Sequence, residues 1–224
     1  MMSKPFKPFR TKICGITNQQ DATDAAEAGA DAIGLNFYAT SLRSVTVDEA
    51  AGIQTPEGVA RVGVFVNHET DEIKRIVDSA RLDFVQLHGD ETPELAAKLG
   101  GVPLIPVFRI RSGAEAQDVL GQINRWTSND ELNIAAILLD AQVGKAYGGT
   151  GHKLDWGLAK AIVDKCKVSL ILAGGLNAEN VGRSIVEVGP CGVDVASGVE
   201  ALPGKKDPRL VREFVANATI AFEK

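Results

Sequence analysis

Net positive charge is missing from this sequence: 24 Lys and Arg stand against 29 Asp and Glu, a formal charge of -5 at pH 7. Such a chain has no general attraction for phosphate polymers or anionic lipid, so nucleic acid and membrane are poor partners and any bound anion must be gripped locally. Cysteine is scarce as well. Cys14, Cys166 and Cys191 are odd in number and far apart, which fits neither a disulfide framework nor a paired CxxC metal site and suits a reducing cytoplasm. There are three histidines, and nothing gathers His, Asp and Glu at metal-ligand spacing, so no metal is expected. No apolar run approaches membrane-spanning length, and the N-terminal MMSKPFKPFR lacks the apolar core of a signal peptide. The pattern GxxxxGK[ST] is absent, which argues against a nucleoside triphosphate site, and GxGxxG does not follow the first apolar run.

What is present is material for a core, with 45% hydrophobic residues, 24% charged and 5% aromatic. Eight short runs rich in Val, Ile and Leu recur: TKICGI, DAIGLNFY, RVGVFVN, DFVQLHG, PLIPVFRI, IAAILLDA, SLILAGGL and CGVDVASGV. Between them lie capped segments of helical periodicity such as NQQDATDAAEAG, TVDEAAGI, TDEIKRIVDSA, TPELAAKLG and NAENVGRSIVEVG. Continuous apolar strands alternating with helices imply a parallel sheet under helices. Eight repeats imply an α/β fold of the (β/α)8 TIM-barrel type in a single domain. The expected division is a loose extension over residues 1–10 and a barrel over 11–224. A doubly wound open sheet is the alternative.

Polar residues and glycines crowd the C-terminal ends of the runs, and in a parallel barrel those ends share the face that carries the active site. Three glycine-rich turns come late: YGGTG with Gly149 and Gly151, AGGLN with Gly174 and Gly175, and ASGVE with Ser197 and Gly198. The last two follow the seventh and eighth runs, where many barrels hold phosphate on backbone N–H groups. A small phosphorylated ligand is expected; the bland alternative is that each glycine serves a tight turn.

Asp140 ends a run whose preceding six residues, IAAILL, are all apolar. An ordinary aspartic acid is protonated in only about one molecule in a thousand at pH 7, and desolvation raises that fraction, as a general acid requires. Capping of the next loop is the other role open to it. Cys14 ends the first run, where a thiol with a pKa near ~8.5 needs a modest downward shift to act as a base. Cys166 and Cys191 suit small buried hydrophobes. Lys12, two residues before Cys14 and on the same side of the strand, is placed to support a thiolate. Arg43 follows the second run, where a guanidinium suits a carboxylate or simply solvent. His88 ends the fourth run and suits a supporting, hydrogen-bonded role.

As an ordered set, KICGIT, GLNFY followed by SLRSV, VGVFVN, VQLHGDE, LLDA, GGTGHKLDW, LAGGLNAENV and GVDVASGVE resemble the phosphoribosylanthranilate isomerases of tryptophan biosynthesis, from Lys12 to about Asp207. The resemblance implies an Amadori rearrangement without metal or organic cofactor. Carried over by motif, it implies Cys14 as general base, Asp140 as general acid, Arg43 on the anthranilate carboxylate, and the glycine turns on the phosphate. The chain departs from the family pattern at Leu42, where proline is common, and at Leu154, where phenylalanine is usual.

Rival barrels fit less well. Indoleglycerol phosphate synthases resemble the chain in architecture but depend on strand-end lysines that the third and sixth runs lack, and the pentose phosphate epimerases want metal-binding His and Asp. A barrel that binds phosphate without catalysis has no need of Cys14 and Asp140 together. Arg43 favours the anthranilate substrate over the histidine-pathway aminoaldose that some relatives isomerise. The acidic charge suits a monomer or a homodimer equally.

Overall fold

A computed structural model describes residues 9–111, 113–141 and 155–224. Each apolar run forms a strand: β1 (Thr11–Cys14), β2 (Ala32–Asn36), β3 (Ala60–Phe65), β4 (Phe84–Leu87), β5 (Leu104–Ile110), β6 (Ile137–Ala141), β7 (Leu170–Leu172) and β8 (Gly192–Val195). The helices between them are α1 (Gln19–Glu27), α2 (Val47–Gly52), α3 (Thr70–Ser79), α4 (Pro93–Ala97), α5 (Ala116–Thr127), α6 (Trp156–Val163) and α7 (Val181–Val188). After β8 come a 3-10 turn (Ser197–Val199), a small antiparallel hairpin of β9 (Glu200–Leu202) and β10 (Lys205–Lys206), and α8 (Pro208–Phe222). The eight parallel strands pair in chain order, and β8 closes on β1 through Lys12 opposite Asp194. The fold is therefore the (β/α)8 barrel, and the open-sheet alternative falls.

Local chemistry sets the helix starts. Asn18 accepts from the Asp21 N–H to begin α1, and Thr46 and Glu49 form a reciprocal capping box at α2. Thr92 caps α4 with Pro93 in its first turn, and Asp207 caps α8 ahead of Pro208. Arg61 stands in β3 with its guanidinium buried beneath two helix ends. It donates to the carbonyls of Ala50 and Ile53 at 2.6 Å and of Ala80 at 3.0 Å, filling acceptors that a helix C-terminus otherwise leaves open.

Alternation along the strands divides the apolar residues into two layers. Ile13, Ile33, Leu35, Val85 and Leu139 face outward into the shell between strands and helices. Ala32, Val62, Phe84, Ile105, Leu138 and Ile171 fill the barrel interior. Phe9 closes that interior at the N-terminal end, edge-on to Phe84 at 6.1 Å. Arg10 and Thr11 donate their N–H groups to Asp31 at 2.9 and 2.8 Å, so residues 9 and 10, placed by the sequence in the extension, pack on the barrel. With the N-terminal half filled by hydrocarbon, the inward-facing polar side chains collect toward the C-terminal mouth. No helix among the described residues is long and apolar enough to cross a membrane.

Candidate active site

The C-terminal mouth holds one cavity onto which Cys14, Arg43, His88, Asp140, Gly174, Gly175, Ser197 and Gly198 all open. Residues up to 184 positions apart in sequence thus meet because eight strand ends share one rim. Lys12 lies beneath, wholly buried in the barrel. Gly149 and Gly151, together with the rest of the YGGTG turn, lie outside the described residues.

Cys14 ends β1 directly opposite Gly34 of β2. A methyl group on Gly34 would stand 2.6 Å from the Cys14 sulfur and 3.1 Å from Lys12 Cε, so glycine there is what gives the thiol its room. Gly34→Ala is expected to cost about 1–3 kcal/mol of stability through overpacking and to push the thiol off its position. Thermal unfolding and the rate of Cys14 alkylation report the two effects.

A base at neutral pH needs a downward shift of the Cys14 thiol pKa, but burial pushes it above the ordinary cysteine value, and the neighbouring Lys12 charge, which favours the thiolate, does not outweigh that push. Lys12 donates to Asp194 Oδ1 at 2.9 Å. Burial alone would lower the lysine pKa, yet Asp194 and Cys14 together outweigh it and hold the ammonium firmly charged. Asp194 adds a smaller upward push on the thiol to that of burial. Asp194 is the partner that sequence reasoning missed; its inward position in GVDVASG was the available signal.

Asp140 is buried at the end of β6, paired in register with Arg109 of β5. Its Oδ1 accepts from the Ala141 N–H at 2.8 Å, and its Oδ2 faces His88 Nε2 at 3.4 Å. The other ring nitrogen of His88 lies 3.1 Å from the Gln86 amide. Gln86 Oε1 and His88 Nε2 are buried without a hydrogen-bond partner among the described residues, so polar capacity is held open toward the cavity. His88 thus stands beside Asp140, and Gln86, which the sequence did not single out, stands beside His88.

The two glycine turns are built into each other. Gly174 and Gly175 adopt positive φ, +88° and +68°, and a Cβ on Gly198 would come within 1.9 Å of the Leu176 carbonyl oxygen. Only backbone without side chains allows the turns after β7 and β8 to sit back to back against the cavity.

Across the mouth, the stem of Arg43 lies over Gly15, where a Cβ would stand 2.6 Å from Arg43 Cδ and where φ is +75°. Its guanidinium makes a two-point pair with Glu200, Nε and Nη2 each 2.7 Å from a carboxylate oxygen. Lys206 reinforces Glu200 at 2.9 Å. Neither residue of this hairpin was singled out in the sequence, because nothing local distinguishes GVE or GKKD from surface charge.

A closed parallel barrel that sets a thiol and a carboxyl into one pocket, between paired glycine turns and an arginine, defines a TIM-barrel enzyme of the proton-transferring kind. Comparison with known proteins makes the class particular. The profile of the N-(5'-phosphoribosyl)anthranilate (PRA) isomerase family matches residues 11–217. The chain is 46% identical over 208 residues to N-(5'-phosphoribosyl)anthranilate isomerase of Syntrophomonas wolfei subsp. wolfei, covering 92% of this chain and 95% of the relative. It superposes with a TM-score of 0.81 on phosphoribosylanthranilate isomerase from Thermotoga maritima, at 39% identity over 94% of this chain and 98% of the other. A further solved phosphoribosylanthranilate isomerase, in complex with reduced 1-(o-carboxyphenylamino)-1-deoxyribulose 5-phosphate, matches with a TM-score of 0.78 and 39% identity over the same shares. The chain belongs to the N-(5'-phosphoribosyl)anthranilate isomerase family.

Proposed function

We propose that the protein isomerises N-(5-phosphoribosyl)anthranilate to 1-(2-carboxyphenylamino)-1-deoxyribulose 5-phosphate, an Amadori rearrangement in L-tryptophan biosynthesis, with Cys14 as base and Asp140 as acid. The observation that carries the assignment of roles is that both side chains open on one cavity whose rim has glycine turns on one side and Arg43 on another. The turns at Gly174, Gly175, Ser197 and Gly198 suit the phosphate, and Arg43 suits the anthranilate carboxylate. Gly149 and Gly151 complete the phosphate assignment from sequence.

Asp140 protonates the ribose ring oxygen; the bond from that oxygen to C1 breaks as the nitrogen lone pair forms the C1=N bond of a cationic Schiff base. The Cys14 thiolate removes the proton from C2, and the released electron pair becomes the C1=C2 bond of an enolamine, neutralising the nitrogen. Loss of the C2 hydroxyl proton and protonation at C1 give the ketone. Lys12 supports the thiolate by its charge, and His88 and Gln86 orient the acid. Anchoring the two ends of the substrate spends remote binding energy on holding C2 and the ring oxygen between base and acid.

Activity is tested by the loss of anthranilate-type fluorescence when the protein meets freshly generated phosphoribosylanthranilate. Enzyme-dependent decay is the expected result, and binding of a product analogue without decay would favour a non-catalytic barrel. Arg43→Ala is expected to raise KM about 10- to 100-fold, the worth of a charge-assisted hydrogen bond, with kcat little changed; steady-state kinetics separate the two constants.

A homodimer in the cytoplasm is the setting we assign. A solved relative from Thermotoga maritima is described as monomers of a dimeric phosphoribosylanthranilate isomerase, and light scattering on this chain decides its own state.

A further inference from the structure

The partnership of Arg43 with Glu200 does more than hold a side chain. Arg43 gives its Nε–Nη2 edge to the two Glu200 oxygens, which leaves the Nη1–Nη2 edge for a ligand in the cavity that Arg43 lines. Glu200 Oε1 also accepts from Lys206 Nζ at 2.9 Å and from the Gly204 N–H at 3.3 Å. Lys206 Nζ donates besides to the Ala196 carbonyl at 3.0 Å. The hairpin carrying both residues is tied to the segment after β1, through Thr17 Oγ1 to the Gly204 carbonyl at 2.8 Å and the Lys206 N–H to Asp21 at 2.9 Å. The side chains of Lys206 and Glu200 are 0% and 4% exposed, that of Arg43 15%.

The three groups are joined as ion pairs, Arg43 to Glu200 at 2.7 Å and Lys206 to Glu200 at 2.9 Å. Burial works against the Glu200 carboxylate, but Arg43 and Lys206 prevail and keep its pKa below the usual range. Burial lowers the Lys206 pKa, with Glu200 opposing, and the Glu200 hydrogen bonds raise that of Arg43. Two cations and one anion leave a single net positive charge, offered through one planar edge.

Building on the isomerase assignment above, we infer that Glu200, seated on Lys206, sets the specificity of the aryl end of the site, tuning Arg43 to accept one planar carboxylate monoanion and to reject a dianionic phosphate there. A carboxylate brings the subsite to neutrality and pairs with the guanidinium edge at two points. A phosphate dianion leaves a net negative charge beside a buried carboxylate, and like charges so placed oppose binding. Glu200 is a positioning and selecting residue; it needs no contact with the reacting atoms. This accounts for an arginine that meets an acidic partner in the free protein and still serves an anionic ligand.

Two non-reacting product analogues test it, one with the ortho carboxylate of the reduced product and one with phosphonate in its place. Inhibition constants are measured at about pH 8, above a second phosphate-type ionisation near ~6, and again at about pH 5.5, below it. The wild type is expected to favour the carboxylate about tenfold or more at the higher pH, a factor equivalent to about 1.4 kcal/mol, and less at the lower pH, where the phosphonate is a monoanion. The sugar phosphate is common to both analogues, so its own titration cancels in the ratio. Glu200→Gln is expected to narrow the preference at the higher pH by about threefold or more. A purely structural Glu200 would change both constants together and leave their ratio alone. Equal affinities in the wild type, a preference that ignores pH, or an unchanged ratio in folded Glu200→Gln overturns the assignment. If Glu200→Gln does not fold, the two-pH comparison in the wild type decides. Wild type that turns over substrate but binds both analogues alike overturns this inference alone; wild type that neither turns over substrate nor binds the carboxylate analogue overturns the isomerase assignment.

Discussion

Asp140→Asn is expected to lower kcat by about 10²- to 10⁴-fold, the range for loss of a positioned proton donor, while KM moves little. The amide matches the carboxyl in size and its oxygen still accepts from the Ala141 N–H, now 2.8 Å away, so the end of β6 keeps its shape. What disappears is an acidic proton for the ribose ring oxygen, and without it the sugar does not open. Stopped-flow or steady-state fluorescence on a variant with an unchanged circular dichroism spectrum isolates the chemical step. A kcat within about threefold of wild type would remove Asp140 from the role of acid, because proton donation is worth far more than that.

The second large effect is expected from Cys14→Ala, a loss of kcat of similar or greater size, since C2 of the Schiff base then has no base. The free-site electrostatics add a signature that loss of activity alone lacks. Burial pushes the Cys14 pKa up, and the proposed base is the thiolate, so kcat/KM of the wild type is expected to rise with pH and to level off only beyond the ordinary thiol value of about 8.5. The direction follows from the sign: a raised pKa means the proton leaves at higher pH, so the base form is scarce at neutrality and grows with alkalinity. Residual activity in Cys14→Ala should lack that limb. A wild-type profile that is already flat at neutral pH would place the ionisation on another group. Titration of thiol reactivity over the same range, with Cys166 and Cys191 replaced, ties the limb to Cys14.

These expectations show which parts of the molecule are legible from local pattern. The run IAAILLD announced β6 because a strand buried on both faces reads as continuous hydrocarbon, and its terminal Asp140 then fell at the barrel mouth by topology alone. KICG gave β1 a weaker signal, because Lys12 interrupts the apolar pattern. By contrast, the sequence carries no mark of the hairpin from Glu200 to Lys206: two and three residues of strand are too short for an alternation to register. Gln86 sits inside VQLHG, where one polar residue in an apolar run says nothing of what it faces. The direction in which the Cys14 pKa moves was illegible for a related reason. Position at a strand end told where the thiol was, but not how far it is buried, and burial is the largest push on its pKa.

The amino-acid sequence by itself determined the alternation of strand and helix, the eight apolar runs, and the strand ends at which Cys14, Arg43, Asp140 and the glycine turns stand. Hydrophobic periodicity and turn chemistry are local properties, and the parallel barrel converts them into a shared rim without further information. The tertiary structure alone decided the pairings of Lys12 with Asp194, 182 positions away, and of Arg43 with Glu200, 157 positions away, and with them, and with burial, the charges and water around Cys14 and Arg43. Charge interactions and desolvation depend on separations of a few ångströms and on how much water remains, and those quantities exist only once the chain is folded.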